Sequence, residues 1–190
     1  MHNISATASG LKKFLFLTIF AACLSFVSRG QQESNPKPFY NPKADAHADI
    51  KNAITQAQKE HKNIMLQIGG NWCIWCTRFH NLIETNDSLN KLMNDNYVYL
   101  PVNYDQNNKN SSLWSELGYP QRFGFPVFVI LDHEGKIIHI QNSAYLEEGK
   151  GHSPQKVAQF LKNWSPAAVA PRRPEPRRRA RNSAPAAAAR

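Results

Sequence analysis

Cysteine is scarce in this chain of 190 residues, with three in all, at positions 23, 73 and 76. Cys23 lies in an N-terminal apolar stretch, so the remainder holds a single pair, and a framework of stapling disulfides is excluded. A pair so close in sequence closes too small a loop to stabilise the fold much through chain entropy. A second Cys-x-x-Cys is missing, so the four-ligand spacing of a structural zinc site is missing too. Thr77 stands where covalent haem attachment needs His. Long apolar runs are also lacking, since Phe14 to Val27, about 14 residues, is short for a membrane span. Nor does the middle of the chain carry excess charge. Residues 31–170 hold 13 basic and 13 acidic side chains, while Lys12, Lys13 and Arg29 give +3 before them and residues 171–190 give +6 after them. The total of +9 therefore belongs to the two ends and says nothing about the substrate of the part between.

What is present divides into four segments. Residues 1–30 have the pattern of a secretory leader: Lys12 and Lys13, then an apolar stretch, then Ser28-Arg29-Gly30 as small residues for cleavage before Gln31. Phe20-Ala21-Ala22-Cys23 also resembles a lipoprotein box, but Phe20 is a poor first residue and Leu24 to Val27 continues apolar where a polar tether belongs. Simple cleavage is expected, with membrane attachment only if Cys23 is lipidated. Either way the domain is expected to be exported, to a periplasm or beyond the cell. Residues 31–44 are polar and proline-bearing, a linker or a weak first strand. Residues 45–165 carry the apolar periodicity of a folded domain. From 166 the composition turns to Ala, Pro and Arg, which cannot bury a core, so 166–190 is expected to be a disordered tail. Its arginine runs, Arg172-Arg173 and Arg177 to Arg179 with Arg181, leave a non-catalytic interaction module open as a reading. A solvated low-complexity extension explains the same residues, and no nucleic-acid partner is expected.

Within 45–165 the spacing predicts helix, strand, helix, helix, strand, then strand, strand and helix. Ala46, Ile50, Ala53, Ile54 and Ala57 share one face of a helix starting at Asp45 and ending near His61. Asn63 to Ile68 is a short apolar strand stopped by Gly69-Gly70. Asp87 can cap a short helix that turns Leu89, Leu92 and Met93 inward. Tyr97 to Asp105 alternates, with Val98, Leu100 and Val102 on one face and Tyr97 and Tyr99 on the other. Pro101 suggests an edge strand or an irregularity, because proline cannot donate to a ladder. Leu113 to Leu117 fits one helical turn. Val127 to Leu131, the most apolar run, predicts a central strand, joined through His133-Glu134-Gly135 to a hairpin partner at Lys136 to Gln141. Ser153-Pro154 supplies a cap and first-turn proline for a helix carrying Val157, Phe160, Leu161 and Trp164.

The chemistry concentrates in Asn71-Trp72-Cys73-Ile74-Trp75-Cys76. Cys76, Phe79, Leu82 and Ile83 recur at helical spacing, so the motif follows a strand and a glycine turn and opens a helix, the context in which Cys-x-x-Cys signals redox chemistry. A helix start offers unpaired N–H groups and the positive end of the dipole, both of which favour a thiolate on Cys73. Cys76, one turn on, is placed to attack a mixed disulfide at Cys73. Two buried structural cysteines are the plainer alternative. A metal-handling role is another, with Cys73, Cys76 and His80 near one helix face and sulfur ligands suited to Cu(I) or Zn.

The order of elements, the Trp72-Cys73-Ile74-Trp75-Cys76 motif and Gly124-Phe125-Pro126-Val127-Phe128-Val129-Ile130-Leu131-Asp132 resemble the thioredoxin superfamily, in particular exported thioredoxin-like proteins with a Trp-Cys-x-x-Cys site. The resemblance spans about Asp45 to Trp164. It implies an α/β fold: a three-layer sandwich with a central mixed sheet flanked by helices. It implies that Pro126 is cis and faces the dithiol, and that the backbone of Phe125 pairs with an extended substrate segment, a contact of little sequence preference. Trp72, Phe125 and Pro126 are thus the expected substrate-binding residues, and Cys73 and Cys76 the expected catalytic pair. No cofactor and no metal is called for.

Three positions depart from thioredoxin proper. Gln67 stands where a buried Asp precedes the first cysteine by six residues, and Pro101 falls where a lysine lies near that Asp. Ile74-Trp75 replaces the Gly-Pro of thioredoxin and the His-containing dipeptides of oxidising relatives. Without His at 75 one support for the Cys73 thiolate is gone, which points to a reducing or intermediate potential. The expected function is an exported thiol–disulfide oxidoreductase that reduces or exchanges protein disulfides. Its expected partners are client proteins with thiols or disulfides and a redox partner that the sequence does not identify.

Overall fold

The computed structural model describes residues 38–171. The expected leader 1–30, the linker up to residue 37 and the arginine-rich part of the tail from residue 172 lie outside the described residues. Among those described, no helix is long and apolar enough to cross a membrane.

Helix α1 spans Ala46–Glu60 and starts where Asp45 accepts the N–H groups of His47 at 3.0 Å and Ala48 at 3.1 Å. That side chain satisfies two donors the helix itself leaves unpaired. Ala46, Ala53 and Ala57 are buried, with Ile50 and Ile54 partly buried on the same face. Strand β1 (Asn63–Gly69) follows, then α2 (Ile74–Thr85) and α3 (Asp87–Asn96). Asn86, not Asp87, caps α3: its Oδ1 accepts the Leu89 N–H at 3.1 Å. The same residue closes α2, since its own N–H reaches back to Leu82 O. One residue thus serves two helix ends, which leaves Asp87 as the first helical residue.

Strand β2 runs Tyr97–Asn103, two residues shorter than expected, because Tyr104 turns its N–H to Gly69 O and Asp105 begins a side-chain-closed turn. Helix α4 (Ser111–Glu116) and a 3-10 turn at Pro120–Phe123 lead to β3 (Val127–Leu131) and β4 (Ile137–Asn142). Two short strands, β5 (Glu147–Glu148) and β6 (Gly151–His152), precede α5 (Pro154–Asn163). Ser153 holds the cap position of α5, but its hydroxyl bonds Gln155 Oε1 instead of a backbone N–H. Pro154 leaves one less donor there to satisfy. Pro166–Val169, the first residues of the expected tail, form a single helical turn, α6.

The sheet order is β2-β1-β3-β4, with β1 and β2 parallel and the other neighbours antiparallel. Pro101 therefore does sit on an edge strand. The two-residue side-chain period sorts the strands onto two cores. Ile64, Leu66, Ile68, Val98, Val102, Val127, Val129 and Leu131 face α1 and α4. Met65, Tyr97, Phe128 and Ile130 face α2, α3 and α5. Helices on both faces make three layers and explain why every residue of β1 and β3 is buried. The Phe79 and Phe128 rings, 4.3 Å apart, pin α2 to the sheet. Burying each ring is worth about 1.5–3 kcal/mol.

Candidate active site

Gly69 and Gly70 end β1, and a turn in which Cys73 N–H bonds Gly70 O at 2.9 Å reverses the chain into α2. Cys73 occupies the cap position in extended conformation, and its Sγ accepts the N–H of Cys76 at 3.2 Å. Sulfur does here what a serine or aspartate oxygen does at other helix starts. Cys73 and Cys76 form a disulfide, with Cα atoms 5.3 Å apart. Once the bond opens, the same N–H and the helix dipole act on a Cys73 thiolate, and bonds to a charged acceptor are the stronger kind.

Cys76 is fully buried, above a polar cluster. Gln67, also fully buried, donates through Nε2 to Tyr40 Oη at 2.9 Å and to Cys76 O at 3.1 Å. Tyr99 Oη donates to Gln67 Oε1 at 2.6 Å. Gln67 thus stands beneath the pair, where the resemblance put it, and pairs across the sheet with Pro101. Among the described residues no carboxylate hydrogen-bonds to Gln67, Tyr40 or Tyr99, and the charge that reaches the cluster is that of Glu84, acting on Tyr99. Burial pushes both the Tyr40 and the Tyr99 phenols up, so they remain protonated. Gly69 is required by proximity: a Cβ there would collide with Cys76 Sγ and lie 2.9 Å from Tyr40 Oη.

Tyr40 comes from residues 38–44, which contain no strand and instead lie as a strap. Asn71 Oδ1 accepts the N–H groups of Phe39 and Tyr40, and Asn71 Nδ2 donates to Tyr40 O at 2.9 Å. Asn108 Nδ2 holds Pro42 O at 3.0 Å and Ala44 O at 3.3 Å.

The rim is apolar. Trp72 is 59% exposed and Ile74 45%. Trp72 Nε1 donates to Tyr104 O at 2.8 Å, and its ring meets Phe125 edge-on at 5.6 Å. Phe125 stacks on Tyr104 at 4.7 Å and packs, with Trp75, against the cysteine pair. The Phe125–Pro126 bond is cis, as the resemblance implied, and Pro126 is buried. Gly124, at φ 81°, turns the chain into it with a backbone that favours glycine. A groove lined by Trp72, Tyr104, Asp105, Gln106, Asn107 and Lys109 runs from the rim. Among the aromatics of α4 and the turn after it, Trp114 is buried in the core, whereas Tyr119 and Phe123 are exposed.

His80 lies flat on Phe39, with ring centroids 4.0 Å apart, and burial lowers its pKa against the opposing pull of Glu84. Among the described residues no three His, Cys, Asp or Glu side chains come together as a metal site, so Cys73, Cys76 and His80 do not converge as ligands. His152 supports α2 from the other side, edge-on to Phe79 at 5.3 Å and to Trp75 at 5.6 Å, with neither ring nitrogen partnered. Burial, with Arg78 adding to it, lowers its pKa to about 4.

The sequence brought Cys73, Cys76, Trp72, Phe125 and Gln67 to this place. Asn71 headed the motif without a role of its own, and Tyr40, Tyr104 and His152 were not singled out. Tyr40 and His152 lie in segments of no periodicity, and Tyr104 falls at the end of an expected strand.

A four-stranded mixed sheet between helices, with a Trp-Cys-x-x-Cys disulfide at the start of α2, defines the class: a thioredoxin-like fold that carries a Cys-x-x-Cys pair. Residues 45–133 match the family model described as thioredoxin-like. The fold is similar to that of a disulphide isomerase from Xylella fastidiosa Temecula1, at 21% identity and TM-score 0.58, covering 67% of this chain and 96% of that one. A DsbH oxidoreductase aligns at 23% identity and TM-score 0.43, covering 65% of this chain and 86% of that one. A thioredoxin-fold protein from Helicobacter pylori aligns at 19% and 0.36, over 54% and 81%. No curated protein matches the chain.

Proposed function

We propose that this protein is an exported oxidoreductase that reduces or exchanges disulfides of client proteins through Cys73 and Cys76. The observation that carries the reading is the Cys73 sulfur at the first turn of α2, accepting the Cys76 N–H, beside an apolar rim of Trp72, Ile74 and Phe125. Cys73 is the attacking thiolate and Cys76 the resolving one. Trp72 and Phe125 receive apolar client segments, and Pro126 sets the course of the backbone beside them. The leader-like pattern of Lys12, Lys13 and the apolar stretch to Val27 supports export, to a periplasm or beyond the cell. The missing His at position 75 supports a reducing or intermediate potential.

Paired variants test the assignment. Cys73→Ser is expected to abolish exchange, whereas Cys76→Ser accumulates mixed disulfides with clients, because nothing resolves them. Equal trapping by both variants contradicts the division of roles. The direction of transfer is read from the potential of the pair. A value near about −270 mV fits a reductase, and one near about −120 mV overturns that part of the reading.

A further inference from the structure

We propose that Tyr40 acts on the Cys76 sulfur, donating a hydrogen bond to its thiolate whenever the Cys73–Cys76 bond is open. This rests on the reading of the pair as a redox couple and assigns the buried sulfur a partner that the sequence did not reveal.

One group in the cluster has a fixed hydrogen-bonding role. Cys76 O can only accept, so the Gln67 atom 3.1 Å from it is Nε2. Oε1 then faces Tyr99, whose hydroxyl donates to it at 2.6 Å. The remaining Nε2 hydrogen goes to Tyr40 Oη at 2.9 Å. Tyr40 Oη is therefore an acceptor toward Gln67, and its own proton points elsewhere. Among the described residues no acceptor receives that proton in the disulfide state, although Tyr40 is only 3% exposed. Gly69 shows what lies near it, because a Cβ at that position would meet both Cys76 Sγ and Tyr40 Oη. Sulfur and phenol oxygen flank one small space that only a glycine leaves open. Tyr40, Cys73 and Cys76 form one buried cluster. A disulfide sulfur is a poor acceptor, whereas a thiolate is a good one, so the unpaired donor acquires its partner when the bond opens. Burial keeps the phenol protonated, and the strap held by Asn71 keeps it in place.

When an external dithiol reduces the pair, its thiolate attacks Cys73 Sγ. The Sγ–Sγ bond breaks and its electron pair leaves on Cys76, which takes the Tyr40 hydrogen bond without taking its proton. In the opposite sense, Cys76 gives its proton to a solvent base and attacks Cys73 Sγ of a client mixed disulfide. The client thiolate departs and is protonated by solvent. Tyr40 supplies a hydrogen bond in both directions and is not the base.

The test uses reduced full-length protein and an aromatic disulfide reagent that releases a coloured thiol. Attack by Cys73 releases the first equivalent, and attack by Cys76 on the resulting mixed disulfide releases the second. For Tyr40→Phe the first phase is expected to match the wild type at every pH. The second phase is expected to have its pH midpoint raised by about one unit, the size of a hydrogen bond to a charged group. At neutral pH it runs about threefold slower, because the more basic thiolate is also more nucleophilic. An unmoved midpoint, or equal slowing of both phases, overturns the proposal. A wild-type protein that releases no coloured thiol overturns the redox reading beneath it instead. A second measurement keeps Tyr40 in place. In Cys73→Ser with carbon-labelled tyrosine, the Tyr40 Cζ resonance is expected to move as Cys76 ionises, and a resonance flat through that midpoint also overturns the proposal.

Discussion

Cys73 and Cys76 are bonded to each other, yet different parts of the chain serve the two sulfurs. Cys73 Sγ is held by a backbone N–H three residues on and by the start of its own helix. The side chains around it, Trp72 and Ile74, are exposed and apolar. Cys76 is fully buried over Gln67, Tyr40 and Tyr99, residues drawn from the strap and two strands. The outer sulfur is thus tuned by main-chain geometry that any Cys-x-x-Cys helix supplies. The inner one is tuned by side chains that belong to this chain. On the proposed function, differences in the resolution of mixed disulfides should therefore originate below Cys76, and differences in client choice above Cys73.

The largest expected effect comes from putting an ionisable group into the inner cluster. Gln67→Glu preserves shape, but the oxygen facing Cys76 O must then carry a proton, because two acceptors cannot share that contact. Burial also favours the neutral acid. The folded pKa lies above the unfolded value of about 4.3, so the folded state binds more protons, and stability falls as pH rises between the two. The variant is expected to match wild type at about pH 4 and to lose about 3–4 kcal/mol by pH 7. Urea titrations across that range check it. A pH-independent difference would mean that the cluster admits water and that the inner sulfur is not secluded from it.

Acid should act on the opposite side of α2. His152 is buried against Trp75 and Phe79, with its pKa lowered to about 4. The unfolded ring binds a proton near pH 6.5, so the unfolded state binds more protons between those values, and stability is lost as pH falls through that window. Wild type is expected to lose about 2 kcal/mol from this group between pH 7 and pH 5. In His152→Phe that part of the loss should vanish, as thermal melts at the two pH values would show. An unchanged acid slope would place the sensitivity elsewhere and leave α2 braced by apolar packing alone.

The unequal legibility of the two sulfurs has the same physical origin as their unequal surroundings. Cys73, the helix that follows it, the edge position of Pro101 and the central run Val127–Leu131 all follow from local periodicity and turn chemistry, which act over a few residues. Asn86 capping α3 in place of Asp87 was missed because two adjacent side chains satisfied the same local rule and only the path of the chain chose between them. Tyr40 was not legible at all. It lies 27 residues before Gln67, in a stretch without strand or helix, and only Asn71 and Asn108 bring it under the motif. Gln67 stood out as a departure, but what it binds depends on Tyr99 across the sheet, a pairing set by register. Contacts between distant segments leave no periodic trace, and the inner sulfur is surrounded by such contacts.

The smallest expected effect lies at the outer sulfur and mirrors Tyr40→Phe. Trp72→Phe keeps an aromatic edge toward Phe125 and removes the N–H that holds Tyr104 O. The bond is at an exposed residue, where water can replace it, so stability should change by no more than about 1 kcal/mol. The loop from Tyr104 to Lys109 that lines the neighbouring groove loses its tie to the rim, so exchange with folded clients should slow while reaction with a small reagent does not. In the two-phase assay both phases should be unchanged, because neither sulfur touches this bond. A raised midpoint in the second phase of Trp72→Phe would show that the rim and the inner cluster are coupled through Phe125, which packs against both. The two sulfurs would then have to be treated as one environment, and the separation of client choice from resolution would not hold.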